Sequence, residues 1–553
     1  SDQDLMSKKE KKIARREFLE NIGKAAGSTA MIRAMMAMGI GVGVSSCGSS
    51  SAESPATQMN SNTQPISVGS YNSPKSARPG DWPANSGAGK SVVILGAGIA
   101  GMTSAFELQK LGYSVSILEA TNRAGGRNIT IRSGDVVNEL TSSQTCNFDV
   151  NGELYFNPGP ARIAHHHEFL IGYCREFNVL LENFTNDNRA ALLHSTSAFG
   201  GNPQVAKTVI ADIRGNISSL LASAIDQNAL DQTLSSDDKA NILSMLINYG
   251  DLDSNYSYSG SSRAGFSGQE NTGSRDRGTQ ITVKNLSDLV ADSFLQSRRI
   301  NFSEGSNQQP SMLQPIGGMD KIATAFRDRV ASVITYGAEV KEIRKVSNGA
   351  KILYVKNGIQ IEHNADYCIC TIPTTVLRGI PNDFSEAHKA EINSFVYSNA
   401  AKLAFQSRRF WEQDHSIFGG ISWTNQDITQ IWYPSNALGS TNGIIIGAYI
   451  WGSSASTNFS NQSPQQRINS ASLQGNNIHS KYQSEVSKGI SVAWRNIPFQ
   501  LGAYGLSSAS TLLNPDDNII FAGEHLSILK GWQEGAILSA YHAINEITKK
   551  VHA

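Results

Sequence analysis

The sequence predicts an α/β protein organised around a parallel sheet, and three observations predict it. A continuously apolar, β-branched run, Ser91–Leu95, reads as a buried parallel strand. The string Gly96-Ala97-Gly98-Ile99-Ala100-Gly101 follows at once, and a helical pattern then runs from about residue 100 to 111. A second apolar strand from 114 to 118 ends in Glu119, eighteen residues after Gly101.

Each part has a physical task. Gly96 allows a tight turn, Gly98 lets the backbone approach a pyrophosphate, and Gly101 lets helix and strand pack closely. The helix N-terminus at Ile99 and Ala100 turns its N–H groups toward phosphate. Glu119 is placed to accept hydrogen bonds from ribose hydroxyls. The glycine string by itself also fits an ordinary turn; strand, turn, helix, strand and acid in register make a Rossmann-like dinucleotide unit. NAD and FAD both remain open at this point.

A chain of 553 residues that is 40% hydrophobic and 17% charged can bury a large core and divide into two or three domains. Lysine plus arginine (47) equals aspartate plus glutamate (47), which gives no general pull toward nucleic acid. The five cysteines, at 47, 146, 174, 368 and 370, are scattered and form neither a disulfide framework nor a zinc site. Cys368 and Cys370 fall in an apolar run from 367 to 372 that reads as a buried strand.

The first ninety residues read as an address and a tether. Arg15-Arg16-Glu17-Phe18-Leu19, preceded by lysines and followed by a weakly apolar stretch from about 23 to 44, is a twin-arginine export signal. Lys24 and Arg33 lie inside that stretch, each costing roughly 2.5 to 3.5 kcal/mol at mid-membrane, so it does not serve as a permanent span. Val44-Ser45-Ser46-Cys47 resembles a lipobox, which would attach the protein to a membrane through a lipidated Cys47; cleavage nearby would instead give a periplasmic or extracellular product. Residues 1–47 are thus assigned to the signal and 48–90, rich in Ser, Asn, Gly and Pro, to a flexible linker. Export of an already folded protein points to a tightly bound cofactor.

Beyond Glu119 the chain continues Ala120-Thr121-Asn122-Arg123-Ala124-Gly125-Gly126-Arg127. This resembles the second motif of the glutathione-reductase-like flavoproteins, and specifically of the flavin amine oxidases, where arginines and a glycine pair border the FAD pyrophosphate. Arginine suits a diphosphate through its planar fork of donors. Phe521-Ala522-Gly523-Glu524-His525 and Gly531-Trp532-Gln533-Glu534-Gly535-Ala536 are similar to the C-terminal flavin motif of the same family. The resemblance implies that Gly523 and Gly531 approach the cofactor, that Glu524 holds the ribityl chain, and that the helix beginning near Gln533 faces the flavin. Pro315-Ile316-Gly317-Gly318-Met319-Asp320 resembles the segment returning to the FAD domain, and Ala338-Glu339-Val340 the strand whose backbone reads adenine. The implied architecture is an FAD-binding Rossmann-like domain of the glutathione-reductase type (91–165, 311–372 and 506–553), a largely helical insertion (166–310) and a mixed-sheet substrate-binding domain (373–505).

Asn157-Pro158-Gly159-Pro160-Ala161-Arg162-Ile163 resembles the signature of the L-amino acid oxidases, in which the loop lies against the flavin and the arginine clamps the substrate carboxylate. Here Ala161 stands where methionine often precedes the arginine. The run Ala401-Lys402-Leu403-Ala404-Phe405 alternates, so Lys402 should face away from Leu403 and Phe405. The resemblance makes Lys402 the residue that holds a water beside the flavin, whereas an ordinary strand lysine would be solvated. Trp532 matches an aromatic wall of the substrate cage, and Tyr504 is a candidate for the other wall. Gln430-Ile431-Trp432-Tyr433-Pro434 resembles the stretch carrying a tyrosine that binds the carboxylate; Tyr433 is the choice and Trp432 the competing one. Ala503 occupies the place of the cysteine that tethers FAD elsewhere in the family, which implies a non-covalent flavin. The adjacent His165, His166 and His167 diverge and are not read as a metal site.

The function so implied is oxidation of L-amino acids by O2 to 2-oxo acid, ammonia and hydrogen peroxide, with Arg162 and Tyr433 fixing the carboxylate. The nearest alternative is an amine or polyamine oxidase, or another flavin oxidase or desaturase of the superfamily; a more distant one is a surface-tethered binding lipoprotein. Assembly into a homo-oligomer is compatible with the sequence.

Overall fold

The computed structural model describes residues 78–230, 233–268, 272–273, 275–291, 299–451 and 454–552. The twin-arginine leader, Cys47 and most of the spacer lie outside these residues. The described chain forms two compact units, one of residues 189–308 and one of 78–188 with 309–552.

In the larger unit a five-stranded parallel sheet runs in the order Ile334–Tyr336, Ser114–Glu119, Ser91–Leu95, Tyr367–Cys370, Ile519–Phe521. Alternation along the central strand explains why it is apolar throughout. Val92 and Ile94 face a cluster formed with Met102, Leu108, Ile537 and Ile544 on the helices Ile99–Lys110 and Gln533–Val551. Val93 and Leu95 face the opposite cluster, with Ile343 and Ile352 of the antiparallel meander Glu339–Val346, Gly349–Lys356 and Ile359–Ala365. Cys368 and Cys370 join this second cluster and are buried. Burial on both faces is what a parallel sheet requires.

The same unit carries an antiparallel sheet in the order Val486–Ala493, Ala401–Arg408, Asn442–Ile450, Gln430–Tyr433, Gly420–Thr424. Ala401–Arg408 lies between two partner strands, and its residues through Ser407 are buried on both faces. The return to the nucleotide-binding sheet is pinned by Arg132, whose guanidinium donates to both oxygens of Asp320 (2.8 and 2.9 Å) and to Gly317 O (2.6 Å).

The linker expected through Lys90 ends earlier than composition suggests. Trp82 is buried at 4% exposure, its ring edge-on to Tyr541 at 5.9 Å, and Arg78 stacks over Phe169. A single indole supplies enough apolar area to order a segment otherwise made of small and polar residues.

The unit of residues 189–308 is built on the packed helices Ala206–Asp226 and Ser236–Gly250, the second capped by Ser235. Buried Asp212 accepts from the Tyr258 hydroxyl (2.7 Å) and from Lys284 N (2.8 Å). Among the described residues no helix is long and apolar enough to cross a membrane.

Candidate active site

The dinucleotide turn is built as its glycines require. Gly96 has φ +105°, and a Cβ at Gly101 would stand 2.0 Å from Gly96 O, so only glycine lets the helix Ile99–Lys110 close on the strand. A Cβ at Gly98 would meet nothing within 4 Å, and no side chain caps this helix. Glu119 accepts from Ala97 N (2.8 Å) through one oxygen and from Thr121 N and Oγ1 (2.9 and 2.7 Å) through the other. Arg123 closes its own loop, donating to Gly126 O (2.6 Å) and Ala124 O (3.4 Å), and Gly125 N donates to Ala97 O (2.8 Å). Ala120 follows Glu119 at the strand end, and Ala338 N, two residues before Val340, donates to Glu119 O (2.8 Å). An uncapped helix start over open space, with a carboxylate at the neighbouring strand end, suits the phosphates and ribose of a dinucleotide.

The second half of the site is held by hydrogen bonds between distant segments. Arg127 Nη1 donates to Ala503 O (2.6 Å) and to Glu524 Oε1 (2.7 Å). Burial pulls this guanidinium's pKa down, and the Glu524 carboxylate reverses that and leaves it raised. Glu524, expected to hold a ribityl chain, is engaged by three protein donors: Arg127, Gly505 N (3.1 Å) and Gly531 N (2.7 Å). Gly523 has φ +137° and donates its N–H to Ser539 Oγ (2.8 Å). Gln533 accepts from Asn128 Nδ2 (2.5 Å) at the start of the uncapped helix Gln533–Val551.

The loop from Asn157 to Arg162 lies against this frame. A Cβ at Gly159 would come within 2.0 Å of Arg127 O, so glycine is needed for the approach. Lys402 Nζ donates to Gly159 O (2.7 Å) and Asn157 O (3.2 Å), and Trp494 Nε1 to Pro158 O (2.9 Å). Pro160 and Ala161 then carry the chain to Arg162, which is 8% exposed. Its guanidinium lies over the Trp432 ring at 4.6 Å and the Trp532 ring at 5.6 Å. The Lys402 amine lies over Tyr449 at 4.4 Å and Trp432 at 5.3 Å. Burial lowers the Arg162 pKa to about 10, opposed by Tyr449 and Tyr504, so it stays charged at neutral pH. Burial and the Arg162 charge hold Lys402 well below the ordinary lysine range.

The structure thus brings Arg162, Lys402, Trp532 and Tyr504 together and corrects the assignment of Tyr433. Neighbouring strand residues point to opposite faces. Trp432 faces Arg162, whereas Tyr433 points the other way, its hydroxyl paired with Ser422 Oγ and His479 Nε2, both at 2.7 Å. The second tyrosine beside Arg162 is Tyr449, raised to about 12 by burial. Nothing in the sequence around Tyr449 marked it, because its place depends on strand pairing with 401–408. Trp494, which braces the arginine loop through Pro158 O, was equally silent. Of the three histidines, buried His167 packs edge-on to Trp532 at 4.9 Å.

A dinucleotide cradle joined to a buried cationic, aromatic cage defines a nucleotide-dependent oxidoreductase. The family model for flavin containing amine oxidoreductases matches residues 99–548. The chain belongs to this family, and its cofactor is FAD. It is 27% identical over 500 residues to the flavin-dependent L-tryptophan oxidase of Lentzea aerocolonigenes, covering 83% of this chain and 98% of that one. It is 26% identical over 486 residues to the L-amino-acid oxidase of Siganus canaliculatus, covering 83% and 85% of the two chains. Its fold is also that of putrescine oxidase bound to putrescine (TM-score 0.52, 16% identity, 84% of this chain and 99% of that one). Cyclohexylamine oxidase from Brevibacterium oxydans superposes with TM-score 0.53 at 15% identity, over 84% of this chain and 100% of that one.

Proposed function

We propose that the protein oxidises L-amino acids, converting amino acid, O2 and water to 2-oxo acid, ammonia and hydrogen peroxide. The observation that carries this reading is the position of Arg162, a buried guanidinium set among the rings of Trp432, Trp532, Tyr449 and Tyr504 beside the flavin motifs. An α-carboxylate is the chemical group that such a cation recognises, and the low-dielectric surroundings strengthen the pairing. The relatives named above as L-amino-acid and L-tryptophan oxidases support it.

In this reading Arg162 binds the carboxylate, Tyr449 adds a hydroxyl beside it, and Trp532 and Tyr504 wall the reacting carbon, which makes catalysis largely a matter of positioning. Bound FAD supplies a two-electron acceptor that O2 can reoxidise. The Lys402 nitrogen spends two N–H groups on Asn157 O and Gly159 O, so one further hydrogen-bonding position is left to hold a water in the cage. With Ala503 at the tether position the flavin is held without a covalent bond. The twin-arginine leader supports export after the cofactor is inserted.

The test is a peroxide assay on a panel of L-amino acids and the amines that differ from them only by loss of the carboxylate. Amino acids are expected to be turned over and their matched amines not. Turnover of amines alone would overturn the reading.

A further inference from the structure

Glu524 is 7% exposed and lies between the two segments that carry Tyr504 and Trp532. Gly505, next to Tyr504, donates its N–H to Oε1 (3.1 Å), and Gly531, next to Trp532, donates its N–H to Oε2 (2.7 Å). Arg127 fixes the carboxylate itself, donating to Oε1 (2.7 Å), and ties down Ala503 O (2.6 Å) on the other side of Tyr504. Gly531, at φ +79°, sits directly on the Tyr504 ring, where a Cβ would lie 3.4 Å from Tyr504 Cγ. One carboxylate therefore holds the backbone under both aromatic side chains, and no side chain at 531 intervenes.

We propose that Glu524 is a positioning residue that sets the separation of Tyr504 and Trp532, and with it the width of substrate the cage admits. This rests on reading those two rings as walls of the substrate cage. The carboxylate suits the task because both of its oxygens accept, so each wall is pulled toward the same rigid planar group. An amide cannot do this. Arg127 demands an acceptor at the Oε1 position, so in Glu524→Gln the amide nitrogen faces Gly531 N–H, donor against donor, and the Trp532 segment is pushed off. Glu524→Asp keeps both acceptors but draws them back by one methylene.

The experiment compares FAD-loaded wild type, Glu524→Gln and Glu524→Asp. Crystal structures give the Tyr504 to Trp532 separation, and kcat/KM, normalised to flavin absorbance, is measured for a narrow and a wide substrate of whichever class the wild type oxidises. The separation should change in both variants, and the wide-to-narrow ratio of kcat/KM should move about tenfold, the scale of a misfit of one methylene. If Glu524→Gln does not accumulate folded, Glu524→Asp carries the same test. Loaded variants with the wild-type separation and the wild-type ratio would overturn the proposal, including the case in which only flavin content falls. Wild type that turns over amines and no amino acids would overturn the amino-acid reading alone, because the ratio can still be read on amines.

Discussion

Arg162 and Lys402 share aromatic neighbours, and burial pulls both downward. The arginine stays charged with a pKa of about 10, and the lysine, desolvated and beside that charge, is held far below its usual range. Removing one partner of a buried ion pair typically costs about 3 to 5 kcal/mol. Arg162→Ala should therefore lower kcat/KM for amino acids about 100- to 5,000-fold, chiefly through KM, with flavin content unchanged; near-normal kinetics would dismiss the carboxylate role. The two tyrosines separate just as cleanly. Tyr449→Phe should raise KM about tenfold through loss of one hydrogen bond to a charged group. Tyr433→Phe should leave KM alone and lower stability by about 1 kcal/mol, since its hydroxyl serves Ser422 and His479. Steady-state kinetics with a thermal melt on each variant distinguish them. Arg162 was legible in the sequence because its neighbours, Asn157 to Ile163, form a local motif. The choice between Trp432 and Tyr433 was not, since adjacent strand residues differ only in which face packs inward, and the partner strand decides that.

The element that most nearly reads itself is the strand, turn and helix from Ser91 to Lys110. Its signals are all local: continuous apolarity, glycines at the turn, and an apolar helix directly after. Because a Cβ at Gly101 would stand 2.0 Å from backbone, Gly101→Ala must push the helix off the strand. The purified variant should carry little or no flavin by absorbance, and full loading would show that the helix tolerates the shift. The strand Ala401–Arg408 is the opposite case. Alternation placed Lys402 opposite Leu403 and Phe405 without deciding whether its face is solvated, and the packing on both faces of the sheet buries the first seven residues, Lys402 and Gln406 included. Composition likewise hid the packed segment around Trp82, which a single buried indole orders.

Across the whole molecule, acid should act through histidines locked in their neutral form. Burial, with the nearby His415 charge, lowers the His479 pKa to about 3, and burial lowers that of His525 to about 4. Once unfolded, each takes a proton below about 6.5. Between that value and the folded values the unfolded chain binds more protons, so stability falls as pH drops through this window. Melting temperature measured from pH 7 to 4 should decline, and more shallowly in His479→Gln; an unchanged slope would show that this histidine does not control it. The sequence by itself determined the nucleotide-binding unit, the flavin family and the arginine loop, because each is written in contiguous residues whose spacing the backbone enforces. Only the tertiary structure decided which tyrosine joins Arg162, that Lys402 braces the Asn157–Gly159 carbonyls, and that Glu524 joins the segments of Tyr504 and Trp532. Those contacts link residues far apart along the chain, and strand pairing and packing select among side chains that are chemically alike.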